Sequence, residues 1–540
     1  MKKRWMKATV LSAVALTLAA CGAQNGGGEG TDTGGEVVEQ TSMPDRPFIY
    51  AAQQVVGSID PAKAIDETEL ISIINMYDPL YFPERTDGSM APAPHLATDY
   101  EVSEDGLTYT FNLRDDVTFH SGNPFTAEDV VYSMERMLAI GEGNSWLWAS
   151  LFEEGSVVAE DEHTVVFNLN EPYAPFLSSM TQLFVVDSQL LQENEEAGDY
   201  GQAFLEENDA GSGPYALESW NRESEIVFAA YEDYWQGWED NQIKTAEMKF
   251  VPEEATVKTL LVSGQADMVH QYLNPTAFAE FQGVDGVVVE EDPSAMIQEM
   301  PMNTQKAPTD DINVRKAIAT AFDYDTATEQ ILAGASQAEG SVPLGVDGHS
   351  DDVTVFKRDV EKAKEYLEQS KYAGEELTVT FMYLGDDAEQ RQYSQLLTSN
   401  LAEIGITVEL VTATWPQVTE ASANPTTTEN LTMISDTLKY PHVDSHTFGK
   451  YHPSTHGSYR TAAWLDNDEV TAKLEEARVE TDETAQLALY EEAQVLITEQ
   501  APAIYIANTT HRIAYRDYVE GYEFVPLMGY DVAFYYFTTN

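Results

Sequence analysis

Between positions 107 and 136 the chain changes from a period of two to a period near that of a helix. Leu107, Tyr109, Phe111 and Leu113 alternate with Thr108, Thr110 and Asn112, the pattern of a strand with one buried face. Ser121-Gly122-Asn123-Pro124 supplies turn chemistry. Thr126 then stands three residues before Asp129, a capping-box spacing in which Thr126 accepts the Asp129 backbone N–H. Val130, Val131, Met134 and Met137 mark the inner face of the helix that follows. Strand, turn and capped helix make a piece of α/β scaffold without chemistry of its own.

The same patterns predict elements along the rest of the chain. Phe48-Ile49-Tyr50 reads as a strand, and a loop at 57–62 leads into a helix through Ile71 and Met76. Tyr215 and Trp220 fall on a hairpin, residues 255–262 form a helix, and Met268-Val269 follows as a strand after the turn at Gly264. Helices at 312–321 and 359–369 flank a looser stretch at 340–352. Leu377, Val379 and Phe381 alternate, 388–404 is helical, and Val408, Leu410 and Thr412 alternate again; this β-α-β order predicts a parallel pair. The aromatic segments at 503–515 and 521–537 read as strands. Trp146 and Trp148 are candidates for stacking on a ligand, but the pair reads first as a core seal.

At 540 residues the chain exceeds what one hydrophobic core usually supports, so an α/β protein of two lobes is expected. The formal charge is −63, from 29 basic and 92 acidic residues, which argues against nucleic acid as a partner. The acids are spread along the whole chain without an EF-hand pattern, so they read as a hydrated surface suited to high salt or alkaline surroundings rather than calcium sites. Cys21 is the single cysteine, which excludes an internal disulfide. Lys2, Lys3, Arg4 and Lys7 precede or open an apolar run at 8–20 too short for a permanent span, the form of a secretion signal over residues 1–20. Leu18-Ala19-Ala20-Cys21 matches the bacterial lipobox, which makes Cys21 the expected lipidation site and 21–44 a disordered tether; the other reading is an incidental cysteine at an ordinary cleavage site.

No Gly-x-Ser-x-Gly elbow, His-Glu-x-x-His pair, P-loop or Gly-x-Gly-x-x-Gly after a strand occurs. The sequence therefore implies neither a catalytic group nor a cofactor, and a secreted hydrolase using Asp/Glu chemistry stands only as the alternative class. Four of the ten histidines, His442, His446, His452 and His456, fall within fifteen residues with two i, i+4 spacings. On a helix each pair would suit a metal, but Pro441, Gly449, Pro453 and Gly457 favour an exposed polar loop.

The string FHSGNPFTAEDVVYSMER at 119–136 resembles the signature of the family 5 extracellular solute-binding proteins, the large peptide- and nickel-type receptors of ABC importers. Tyr77-Asp78-Pro79-Leu80, Ala91-Pro92-Ala93-Pro94-His95, Gly211-Ser212-Gly213-Pro214-Tyr215, Asn303-Thr304-Gln305 and the stretch 396–415 resemble further blocks of that family in the expected order. The resemblance implies a two-lobed periplasmic-binding-protein-like fold. Its first lobe would span 45–300 with an inserted subdomain at about 83–208, its second lobe 301–506, and 507–540 would return to the first. Crossings near 299–303 and 507–512 would form the hinge of a closing cleft.

What the resemblance implies for function is a monomeric receptor, lipid-anchored at the outer face of a bacterial cell membrane. It would deliver a small hydrophilic solute, an oligopeptide first, to permease subunits energised by ATPases. An oligosaccharide and a metal chelate or nickel are the alternative ligands, and an adhesion or signalling receptor the alternative role. Candidate ligand contacts are Asp60, Tyr215, Trp415, Asp436, Lys439, Tyr440, His442 and Asp444. Within 435–444 Lys439 stands where peptide-binding relatives offer an Asp to the ligand's α-amine, a departure that would favour an anionic or neutral polar group there, with Asp436 as substitute.

Overall fold

The computed structural model describes residues 42–85 and 90–539; Cys21, the apolar run and nearly all of the tether lie outside the described residues. Of the five sheets among the described residues, the three largest are built on separate hydrophobic cores. The largest sheet has eight strands in the order Ile434–Thr437, Val287–Pro301, Ala503–Arg516, Met268–Val269, Phe48–Ala52, Thr245–Phe250, Glu225–Ala230 and Tyr215–Asn221. Phe48–Ala52 lies parallel to both of its neighbours, and the hairpin expected at Tyr215 and Trp220 forms the far edge. Helix Glu67–Met76 starts at a reciprocal cap, in which Asp66 accepts the Glu69 N–H at 3.0 Å and Glu69 accepts the Asp66 N–H at 3.3 Å. Gly211 and Gly213 pass so close to the end of this helix that a Cβ would fall 1.8 Å from the Met76 oxygen and 2.5 Å from its carbonyl carbon.

A four-stranded antiparallel sheet, Ala97–Val102, Thr108–Leu113, Thr164–Asn168 and Val157–Asp161, packs with helix Ala127–Ile140 around Phe111, Phe167, Met134 and Trp148. The expected capping box forms at this helix, with the Thr126 side chain toward the Asp129 N–H, and its reverse half is the tighter one. Asp129 accepts the Thr126 N–H at 2.8 Å and the Thr126 hydroxyl at 3.0 Å, while its other oxygen takes the Ser188 hydroxyl at 2.6 Å. Trp148 is buried and donates to Ser179 at 2.9 Å, so it seals this core, and Trp146 packs on Tyr440.

The third sheet pairs Leu377–Leu384 in parallel with Ile406–Ala413 and Leu431–Thr432. Helix Ala388–Glu403 makes the expected β-α-β connection, and Ile312–Ala321 and Val360–Gln369 contribute to the same core. Two long strands tie the cores together: Val287–Pro301 and Ala503–Arg516 pair antiparallel from Val287↔Arg516 to Pro301↔Ala503, with irregularities between Pro293 and Ile297 and between Gln298 and Glu299. At one end Val287, Val289 and Ala514 pack beside the large sheet; at the other Met300, Ile504 and Ile506 join the third core.

The aromatic segment 521–537 departs from its strand reading. It runs as loop with short turns at Tyr530–Val532 and Phe534–Tyr536, and only Thr538–Thr539 pairs, with Val519–Glu520. Its rings are spent on packing: Phe534 and Phe537 lie 5.7 and 5.8 Å from Phe48, centroid to centroid.

Candidate ligand cleft

A cavity of about 600 Å³ opens between the large sheet and the third core, beside the two long strands. Gln53, residues 252–255 and 271–275, and Phe278 line one side; Leu332, residues 386–389 and Arg391 line the other. The central strands contribute Met296, Gln298, Ser435, Thr509, Thr510 and Arg512. Ser435 belongs to Ile434–Thr437, the edge strand of the large sheet, so one side of that strand is left without a strand partner. The size suits a small organic solute or a short peptide.

Helix Ala388–Glu403 brings the acidic wall into place. Asp387 caps it, accepting the N–H groups of Glu389 and Gln390 at 2.8 and 3.0 Å. Glu389, in the first turn, is 9% exposed and receives the Gln298 amide at 2.5 Å, while Tyr393 fixes that amide by donating to Gln298 Oε1 at 2.9 Å. Burial pushes the Glu389 carboxyl up to about 7, with Asp387 adding to the shift against Gln298 and Arg512. Burial also raises Asp387, and Glu254 contributes to that rise from the opposite wall. Glu254 accepts the Asn274 N–H at 3.2 Å. Tyr272 exposes 37% of its surface and donates to Glu67, which also takes the Gln271 amide at 3.0 Å.

None of the eight residues singled out in the sequence except through neighbours enters this lining. Asp60 forms a two-point pair with Arg136 at 2.7 and 2.6 Å and is buried. Tyr215 is fully buried and donates to the Ile243 carbonyl at 2.7 Å. Asp444 is enclosed by the hydroxyls of Tyr440, Tyr490 and Tyr173 at 2.5, 2.6 and 3.3 Å, with Arg478 3.5 Å away. His442 bonds Gln486 at 3.2 Å and accepts the Asp444 N–H. Trp415 stands edge-on to Tyr459 at 4.8 Å.

Asp436 sits at 0% exposure in a charge cluster. Arg460 donates to it twice, at 2.9 and 3.1 Å, and Lys450, itself on Glu299, lies 3.5 Å off. Lys439 donates to the Ile65 carbonyl at 2.6 Å and meets Met528 Sδ at 2.8 Å, away from the cavity lining. Burial, then Arg460, lowers its ammonium to about 7.

The histidines do not converge. His446 is fully buried beside Asp436 at 3.7 Å; His452 stacks on Phe448 at 4.0 Å; and His456 bonds the Leu465 carbonyl at 3.1 Å. The loop is not an exposed one, since short turns at Val443–His446, Phe448–Tyr451 and Pro453–Thr455 bury His446 and His452 and leave His442 and His456 half-buried. Among the described residues no group of three or more His, Cys, Asp or Glu is placed to hold a metal. No described helix is long and apolar enough to cross a membrane.

Residues that sequence reasoning passed over, Gln298, Glu254, Asp387 and Glu389, are those that shape the cavity. The one available signal was Asp387 and Glu389 at the start of a predicted helix, where acids ordinarily do no more than complement the helix dipole.

Two lobes around a polar cavity, joined by a pair of continuous strands, define a protein that takes up a solute between lobes. The model for the bacterial extracellular solute-binding proteins, family 5 (middle), matches residues 91–459, and the chain belongs to this family. It is 28% identical over 503 residues to the probable D,D-dipeptide-binding periplasmic protein DdpA of Escherichia coli, covering 91% of this chain and 94% of that one. Heme-binding protein A of Haemophilus influenzae is 27% identical over 565 residues, covering 98% of each chain. Among solved structures, the periplasmic binding protein DppA of Helicobacter pylori, in complex with the peptide STSA, superposes with a TM-score of 0.83 at 22% identity, over 92% of this chain and 98% of that one. That likeness carries the two-lobed fold.

Proposed function

We propose that this solute-binding protein captures an oligopeptide between its lobes and delivers it, unaltered, to the permease subunits of an ABC importer while held at the outer face of the membrane by a lipid on Cys21. The observation that carries the peptide reading is the placement of an edge strand, Ile434–Thr437, at a polar cavity of about 600 Å³. An extended peptide satisfies its own backbone by pairing with such an edge, which sugars and metal chelates do not need. The Escherichia coli relative, described as a probable D,D-dipeptide-binding protein, points the same way.

In this reading the paired strands Val287–Pro301 and Ala503–Arg516 act as the hinge, and their register breaks at Pro293/Ile297 and Gln298/Glu299 are where bending is absorbed. Binding energy offsets closure, and the closed form is what the permease recognises. Calorimetric titration with a panel of di- to pentapeptides tests it. Saturable binding at micromolar Kd supports the reading; heats that remain those of dilution for every peptide, beside binding of an oligosaccharide or heme, would overturn it.

A further inference from the structure

The cavity is short of positive charge in a specific place. Glu389 is nine-tenths buried, and only one of its oxygens is used, by the Gln298 amide; Oε2 has no hydrogen-bond partner among the described residues. Tyr393 donates to Gln298 Oε1, which sets the amide with its NH2 toward Glu389 and so fixes the orientation of the pair. Facing this carboxylate across the cavity is Glu254, and beside it is Asp387. The two guanidiniums in the lining lower the Glu389 and Asp387 carboxyls only from a distance and pair elsewhere: Arg512 lies 3.4 Å from Glu291, and Arg391 donates to the Gly385 carbonyl at 2.6 Å. A largely buried carboxylate that lines a cavity, with one oxygen bonded to the protein and the other reachable from the cavity, is stabilised by a cation that arrives there. Carboxylates on opposite walls also repel each other as lobes approach, and a cation between them turns that repulsion into attraction.

We infer that the cleft selects ligands carrying a cationic group, an ammonium or a guanidinium, received by Glu389 from the second lobe and Glu254 from the first. This rests on the peptide reading above and deepens it: the preferred peptides are those whose free amine or basic side chain reaches this wall. It also removes the need for a ligand amine at Asp436, whose charge Arg460 and Lys450 already answer.

The test is calorimetry on the full chain with four peptides: trialanine, Ala-Lys-Ala and the N-acetylated form of each. Acetylated trialanine, which has no cation, is expected to bind about ten- to hundredfold more weakly than the other three, as for loss of a charged hydrogen bond. Glu389→Gln keeps the acceptor for Gln298 and is expected to bring all four within about threefold of one another, leaving the affinity for acetylated trialanine at its wild-type value. Glu254→Gln, on the opposite wall and more exposed, is expected to reduce the same preference in part, and keeps the test open should Glu389→Gln fold poorly. Equal affinity for all four peptides in the wild-type protein, or an unchanged preference in both variants, overturns the inference while peptide capture stands. Failure of all four to bind overturns peptide capture, and the inference with it.

Discussion

Asp436→Asn is the substitution that best separates a structural carboxylate from a ligand anchor. In the native protein Asp436 and Glu299 face Arg460 and Lys450 at no more than 5% exposure, two charges of each sign. Asparagine keeps the shape but leaves two cations against Glu299 alone. Breaking a buried pair by removing one partner costs about 3–5 kcal/mol, most of it the penalty of the charge left behind. Urea unfolding followed by tryptophan fluorescence measures the loss. Adding Lys450→Met, which restores the balance, is expected to recover about 1–3 kcal/mol of it, since the two sites share one network.

The pH dependence has a fixed sign. Burial works to raise the Asp436 carboxyl, but Arg460 and then Lys450 outweigh it and hold the group below the usual carboxylate range. A depressed pKa gives stability that is present above the unfolded-state value, about 4, and is lost as pH falls through the folded one. The gap between wild type and variant is therefore expected to be constant from pH 5 to 8 and to shrink below pH 4. A variant with wild-type stability and a large loss of ligand affinity would refute this reasoning and make Asp436 a ligand contact.

Three further outcomes follow from the same geometry. With a formal charge of −63, the melting temperature is expected to climb with NaCl as the reach of repulsion falls from ~10 Å at 0.1 M to ~3 Å at 1 M; a flat profile contradicts this. Because the Glu389 carboxyl is pushed up to about 7, affinity for amine-bearing peptides is expected to rise between pH 6 and 8 and to be flatter in Glu389→Gln; Asp387, Glu254, Arg391 and Arg512 are the charged groups around it, and an identical slope in the variant counts against its role. Tyr215→Phe removes the donor to the Ile243 carbonyl and is expected to cost about 1–3 kcal/mol in urea unfolding with no change in affinity; a change in affinity without loss of stability would place Tyr215 at the ligand.

The scaffold was legible because its signals are local. Leu377, Val379 and Phe381 alternate over adjacent residues, and Asp387 announces the helix that follows, so the β-α-β unit could be written down from a window of about forty residues. The cleft was not legible for the opposite reason. Glu254, Gln298, Glu389 and Arg512 come from four distant stretches, and among 92 acids nothing in the sequence distinguishes the carboxylate that lines the cavity and pairs with Gln298. Loop aspartates drew attention instead, yet Asp60 meets Arg136 and Asp444 meets Arg478, partners that only the folded chain brings within reach. At 521–537 aromatic content imitated a strand because β-propensity reflects packing on a half-buried surface, and these rings find such packing from turns.

Native mass spectrometry of the protein as purified, followed by release under denaturing conditions and sequencing of whatever is freed, tests peptide capture most directly. The expected result is a non-covalent adduct of peptide mass, bearing at least one cationic group, released with its bonds intact and rebound by the refolded chain. A protein that carries no adduct and takes up no peptide, or one that returns the peptide cleaved, would contradict the account.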